Sequence, residues 1–298
     1  MRTVILAGGY ATRLWPLTLH RPKPLLPIAG RPLLDYLLKQ IPPEWLPAIL
    51  SVNRRFWPSF SAWARGKPVE LWVEETRKEE EKLGAVRALA HLVETLGVRD
   101  DLLVLAGDNW LRLDLRRFWE AAAGRPAVAL FPLDDPGKAK GRYGVAVVED
   151  GLILAFQEKP EKPRSNLAST ACYFFPRDVL PLLGEFLREA PQGHDAPGYF
   201  LQWLLARRPI VAFTEVEDWL DVGDRVSYLE ANMRVTHGES WVHPGARISG
   251  SELIRTVVLG PCLIEGSRLR ECVVDEGVKL QGVELEKVLV GKGAWLRG

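Results

Sequence analysis

The sequence predicts an α/β fold with a Rossmann-like, mixed but mostly parallel sheet, followed by a short solenoid. Two features carry this. Through residues 1–237, short apolar runs alternate with segments of helical spacing, the pattern of buried strands joined by crossover helices. From about residue 238 the texture changes, and four segments stack at a spacing of fifteen to sixteen residues. Two domains are therefore expected, 1–237 and 238–298.

Taken in order, Val4 to Ala7 reads as a buried strand stopped by Gly8-Gly9, and a loop rich in proline and arginine follows. Leu33, Leu34, Leu37, Leu38 and Ile41 repeat at helical spacing behind Pro32. Ala48 to Val52 and Leu71 to Val73 are further strands, and Ala85 to Leu96 is an amphipathic helix. Leu102 to Ala106 is another buried strand, ending in Gly107-Asp108-Asn109. In parallel sheets ligands sit beyond the carboxyl ends of strands, where both Gly8-Gly9 and Asp108 fall. Gly144 to Phe156 reads as a hairpin turning at Glu149-Asp150-Gly151. Tyr173 to Phe175 adds strand, Trp203 to Arg207 closes a helix, and Ile210 to Phe213 is a late strand before a helix over Tyr228 to Val235. The stacked segments open at Trp241, Val257, Val273 and Val288, each with two apolar residues and an early glycine. Stacked coils of a β-solenoid fit that pattern, with ordinary antiparallel strands as the alternative.

Composition narrows the class. The chain has 298 residues, 47% hydrophobic and 26% charged, enough for a substantial core. Its 39 basic and 38 acidic residues leave a net charge of +1, which gives no electrostatic case for nucleic acid or an anionic membrane as partner. Cys172, Cys262 and Cys272 form no C-x-x-C pair, so buried thiols in a reducing compartment are expected. Neither a signal peptide nor a membrane span is expected, because the first apolar run stops at two glycines, and the cytoplasm is the expected location.

The stretch from Leu6 to Leu38, LAGGYATRLWPLTLHRPKPLLPIAGRPLLDYLL, carries the chemistry. Two glycines after a strand let backbone N–H groups approach an anion. Arg13 lies in the same loop. Lys23 stands between Pro22 and Pro24, whose fixed φ lowers the entropy lost in presenting it to a phosphate. Neither G-x-G-x-x-G nor a Walker motif is present.

At these residues the chain resembles the sugar-nucleotide pyrophosphorylase family, which includes glucose-1-phosphate thymidylyl- and uridylyltransferases and mannose-1-phosphate guanylyltransferases. The resemblance returns at LVLAGDN, RYGVAVVEDGLILAFQEKP, SNLASTACYFF and WLDVGDRVSYLEAN, in the family's order. It implies a nucleotidyltransferase domain with a short C-terminal left-handed β-helix. It also implies attack by a sugar-1-phosphate on the α-phosphorus of an NTP, with Mg²⁺ as cofactor. Arg13, Lys23 and Lys159 are then the catalytic contacts to phosphate, and Leu6, Gly8, Gly9, Arg13, Gly84 and Asp108 line the nucleotide. Gly144, Glu158, Lys159, Asn166 and Tyr173 face the sugar, with His194-Asp195 a further candidate, and Asp108 and Asp221 hold the metal. The partners expected are these two substrates and further copies of the chain.

Two positions depart from the family pattern. Ala11 replaces a glycine, which costs on the order of 1 kcal/mol if φ is positive there and nothing comparable otherwise. KLGAVRAL, at 82–89, keeps Gly84 but has Ala85 and Arg87 where Thr and Gly are usual, in a segment that helps choose the nucleobase. The expected enzyme uses dTTP or UTP with glucose-1-phosphate. A mannose-1-phosphate guanylyltransferase is the alternative enzyme, and a catalytically reduced regulatory subunit is the alternative of another class.

Overall fold

The computed structural model describes residues 1–81, 83–190 and 196–298, and the chain folds as two compact units. The first comprises Met1–Gly9 and Leu37–Trp219, and the second Tyr10–Tyr36 and Leu220–Gly298.

The first unit is built on a nine-stranded sheet. Val4 and Ile5 are fully buried, as their run of apolar residues requires, and Arg2–Leu6 takes a central place. It pairs in parallel with Ala48–Asn53 and with Leu102–Ala106, and Ala48–Asn53 pairs in parallel with Val69–Glu74. Beyond Leu102–Ala106 the sheet is mixed: Leu167–Phe175 joins antiparallel and itself pairs antiparallel with Ala127–Pro132. Val211–Phe213 returns parallel to Ala127–Pro132, and the hairpin of Val145–Glu149 and Leu152–Gln157 completes the order. The sheet is mixed, as expected, with its run of adjacent parallel strands in one half. The hairpin turns where the sequence places it, with Asp150 and Gly151 both at positive φ, as a two-residue turn between twisted strands needs.

One face of the sheet is covered by helices. Ala85–Thr95 buries Val86, Leu89 and Leu92, spaced three residues apart, against Leu183 and Phe186 of Leu180–Glu189 and against Phe200, Leu201 and Leu204 of Pro197–Leu205. Cys172 sits in the strand Leu167–Phe175, fully buried, and burial pushes its thiol pKa up, so it behaves as a small apolar residue.

In the second unit the helix Arg225–Thr236 starts from a capping box, in which Asp224 Oδ1 accepts from Ser227 N–H and Ser227 Oγ accepts from Asp224 N–H. It packs on the proline-rich loop through Tyr228, whose hydroxyl donates to Pro27 O, and Asn232, whose Oδ1 accepts from Ala29 N–H at 2.8 Å. After it come the coils. The first three contribute parallel strands to three ladders and the fourth to two of them, in the register Trp241↔Val257↔Val273↔Leu289 on the first face. The fourth coil therefore opens at Leu289, one residue later than the sequence reading. Val288, Leu289 and Val290 are all apolar, so the pattern alone does not fix the register. Inside, Val258, Ile264, Leu269, Val274, Val278 and Leu280 stack with Cys262 and Cys272. These parallel coils fit a β-helix. Among the described residues no helix is long and apolar enough to cross a membrane.

Candidate active site

The four parallel strands of the first unit end side by side. Leu6 stands opposite Ser51 and Ala106, and Asn53 opposite Glu74, so Gly8, Asn53, Glu74 and Asp108 gather at one carboxyl edge. This is where a parallel sheet presents ligands. Gly8 is held from both sides. Its carbonyl accepts from Asn53 Nδ2 at 2.9 Å, and Glu74 Oε1 lies 2.8 Å from where a Cβ on Gly8 would be. Any side chain at Gly8 would therefore displace the carboxyl group. Glu74 itself is buried, and Ser51 Oγ donates to its Oε1 at 2.8 Å. Burial raises the Glu74 pKa above the usual carboxylate range, against the opposing effects of the Ser51 hydrogen bond and His91.

Leu6 and Gly8 are half-buried and Gly9 is exposed. Asp108 sits half-buried in the turn after Leu102–Ala106, steadied by its neighbour Asn109, whose Nδ2 donates to Thr170 O at 2.9 Å. Gly84 has φ 81 and caps the helix Ala85–Thr95, a conformation that suits glycine. Arg87 is exposed on that helix, while Lys82 lies outside the described residues.

A second group in the same unit surrounds Glu158. Its Oε2 lies 2.7 Å from the Cβ position of Gly144 and closer still to that of Gly198, so this carboxylate's seat exists because both residues are glycine. Ser169 links the group, donating from its N–H to Gly144 O at 2.8 Å and from its Oγ to the Tyr173 hydroxyl at 3.3 Å. Tyr173 is buried and stacks on Phe175, and burial above all, with the Glu158 charge adding, raises its pKa. It thus has a core role whether or not a ligand reaches it. Lys159 is exposed with φ 45, and Asn166 donates from Nδ2 to Leu133 O. His194 and Asp195 lie outside the described residues.

The second unit brings together Arg13, Lys23 and Asp221. Lys23 is 5% exposed, and its Nζ lies 3.2 Å from Asp221 Oδ1. Asp221 Oδ2 and Arg13 Nη2 are both 3.0 Å from the Cβ position of Gly223. Two cations and one carboxylate brought together from three separate elements suit a polyanionic ligand better than a neutral one. Ala11, just before, adopts φ 51 and ψ 48, the left-handed conformation for which glycine is usual.

Among the described residues no three His, Cys, Asp or Glu side chains cluster as a metal-ligand group. Asp108 in the first unit and Asp221 in the second are each a hard oxygen donor, the kind that Mg²⁺ takes along with phosphate oxygens and water.

Comparison with known proteins now fixes the family. Residues 2–238 match the profile of the nucleotidyl transferase family. The chain belongs to that family. It is 26% identical over 91% of its length to a protein of Sulfolobus acidocaldarius provisionally assigned as a mannose-1-phosphate guanyltransferase, covering 75% of that protein. It is 28% identical over 93% of its length to the mannose-1-phosphate guanylyltransferase of Mycobacterium tuberculosis, covering 80% of it. A crystal structure from Bacillus anthracis, provisionally assigned as a glucose-1-phosphate thymidylyltransferase and holding a sucrose, superposes with a TM-score of 0.68 at 25% identity. That match covers 78% of this chain and 94% of the other. Relatives of the family expected from the sequence are thus recovered, and they carry more than one base and sugar.

Sequence reasoning missed Ser51, Asn53 and Glu74. The one signal was positional: each lies at or near the carboxyl end of its strand.

Proposed function

We propose that this nucleotidyltransferase joins an NTP, dTTP or UTP, to a hexose-1-phosphate, glucose-1-phosphate first among them. The observation that carries the reading is the Arg13–Lys23–Asp221 group, its Lys23 on a proline-stiffened turn, in a chain whose family transfers nucleotidyl groups. A phosphate oxygen of the sugar-1-phosphate attacks the α-phosphorus. A P–O bond forms to the sugar phosphate, the bond from the α-phosphorus to the bridging oxygen breaks, and pyrophosphate leaves with that electron pair. Such a reaction is accelerated by orientation and charge neutralisation rather than by a covalent intermediate.

Roles are assigned unit by unit. In the first, Leu6, Gly8, Gly9 and Gly84 line the nucleotide, and Asp108 serves as a metal-holding carboxylate. Glu158, Asn166, Tyr173 and the backbone at Gly144 hold the sugar, while Lys159 neutralises its phosphate. In the second, Arg13 and Lys23 neutralise the triphosphate, and Asp221 both orients Lys23 and serves the metal. Mg²⁺, when bound, would supply further charge neutralisation at the phosphate oxygens. The reading also takes the coils as a left-handed helix that forms a domain of its own over 238–298 and helps copies of the chain associate, and it places the enzyme in the cytoplasm. GTP with mannose-1-phosphate is the second reading, favoured by the names of two relatives.

The test is Mg²⁺-dependent pyrophosphate release, scanned over five NTPs against glucose-, mannose-, galactose- and N-acetylglucosamine-1-phosphate. Turnover is expected with one pair above the rest, and Asp108→Asn should lower it by about 10²-fold or more. Folded protein that binds nucleotide sugar and releases no pyrophosphate with any pair would instead mark a regulatory subunit.

A further inference from the structure

Equivalent positions of successive coils in a solenoid stack into columns. The column that follows the first strand of each coil holds His243, Leu259, Asp275 and Gly291; backbone N–H groups of the first three donate to Val258, Val274 and Val290 of the next coil. Leu259 is the kind of residue this column suits. Asp275 is not: it is 3% exposed, and a buried carboxylate is costly unless it is paired.

Its partner comes from the proline-rich loop of the same unit. Arg21 Nη2 donates to Asp275 Oδ1 at 3.3 Å, and the same oxygen accepts from Glu276 N–H at 2.8 Å, which fixes the carboxylate on its coil. Arg21 Nη1 is buried without a hydrogen-bond partner among the described residues, so the Asp275 bond is the hydrogen bond seen for the guanidinium, whose charge also reaches Glu276. One coil further along the column, a Cβ on Gly291 would lie 2.7 Å from Pro16 Cγ. Adjacent positions of one column therefore receive two residues of the loop, one by charge and one by the absence of a side chain.

Arg21 leads directly into Pro22-Lys23-Pro24. The two prolines fix φ, and Leu25 and Leu26 N–H close a tight turn onto Pro22 and Lys23 carbonyls. Few free torsions separate the Arg21 anchor from the Lys23 backbone. We propose that Asp275 is a positioning residue: the third coil holds Arg21, and through it sets the turn that presents Lys23 to phosphate. This gives the solenoid a part in the reaction that differs from self-association, and it rests on the reading of Lys23 as a phosphate contact.

The experiment compares Asp275→Asn, Arg21→Gln and the double variant in the full chain, by hydrogen exchange and by steady-state kinetics on the best substrate pair. Exchange at the Leu25 and Leu26 amides is expected to quicken about ten-fold or more in each, while the coil amides of Val257 and Val273 keep their protection. The kcat should fall about ten-fold, with KM for the sugar phosphate changed less than about twofold, because a displaced lysine costs orientation rather than sugar binding. The double variant should be no worse than either single one. Leu25 and Leu26 exchange within about twofold of the parent would overturn the proposal, as would coil protection lost to the same extent. Exchange is read without turnover, so failure of the anchor and failure of the phosphate reading are seen separately. If Asp275→Asn does not fold, Gly291→Ala probes the neighbouring seat. It should quicken exchange at the Leu17 amide, which donates to Leu14 O, and unchanged exchange there would count against the anchor.

Discussion

The two units bury an ionisable group in opposite ways. In the first, Glu74 is 7% exposed and its nearest polar partner is the neutral Ser51 hydroxyl, so burial is met by holding a proton more tightly. In the second, Lys23 is 5% exposed and faces the Asp221 carboxylate, so burial is met by a counter-charge. Both solutions avoid an uncompensated charge in a low-dielectric setting. They differ in what a ligand would meet. A carboxyl group bonded to a neutral hydroxyl offers a ligand an acceptor rather than a cation. An ion pair holds a cation that an incoming phosphate can draw upon, leaving the carboxylate to a metal or to a second cation.

The largest effect should come from breaking the second solution. Lys23→Met leaves Asp221, whose side chain is 20% exposed, without its ion-pair partner at 3.2 Å, Arg13 remaining as the other cation of the group. Removing one partner of a buried pair costs about 3 kcal/mol, which urea unfolding would measure. Turnover should fall on the order of 10²-fold, since a donor aimed at developing charge is lost. Adding Asp221→Asn should recover part of the stability and none of the turnover. A single-variant cost below about 1 kcal/mol would mean that the pair behaves like a surface one.

How much of this could be read beforehand depends on where the information lies. Leu102–Ala106, the Asp150-Gly151 turn and the helix Ala85–Thr95 follow from local periodicity and turn chemistry, and the structure places them where the sequence does. The prolines around Lys23 are equally local. Its partner Asp221 is 198 residues away, and only the fold brings the two together. Glu74 gave no signal because it ends a strand whose other residues are mostly half-buried and show no clean alternation. Asp275 was hidden for a different reason. Val273-Val274-Asp275-Glu276-Gly277 reads as strand then turn, and its meaning depends on the column it shares with Leu259 and Gly291. Residues that respond to long-range packing are the ones a linear reading loses.

A middle-sized effect sharpens the first solution. The folded pKa of Glu74 is raised, so the native state binds its proton more tightly than the unfolded chain does. Its contribution to stability is fully present below the unfolded value and is lost as pH rises through the folded one. Glu74→Gln should remove that dependence. The difference in unfolding free energy between parent and variant should then shift in the variant's favour by up to about 1.4 kcal/mol per pH unit across that window, the slope of one proton. Glu276 titrates in the other sense. The hydrogen bond from Lys292 lowers its pKa, so its contribution is lost only as pH falls through that depressed value, outside the window used for Glu74. A parallel pair of curves through the Glu74 window would show that the carboxyl group is ionised on its strand.

The smallest effect concerns the turn that leads into Arg13. Ala11 holds φ 51 because its carbonyl accepts both from Leu14 N–H at 3.1 Å and from Thr18 Oγ1 at 2.8 Å, and these bonds fix the peptide in the left-handed region. An alanine there carries a steric cost of about 1–2 kcal/mol that glycine avoids, while glycine loses part of that gain to chain entropy in the unfolded state. Ala11→Gly should therefore stabilise the protein by about 0.5–1 kcal/mol, roughly 1–3 °C in a domain of this size. Turnover should stay within about twofold, because the backbone conformation that carries Arg13 is already the one glycine would take. A stabilised variant with much lower turnover would mean that the alanine methyl touches substrate, which would turn this departure from the family pattern into a selectivity device. A destabilised one would mean that the methyl packs well enough to outweigh its strain.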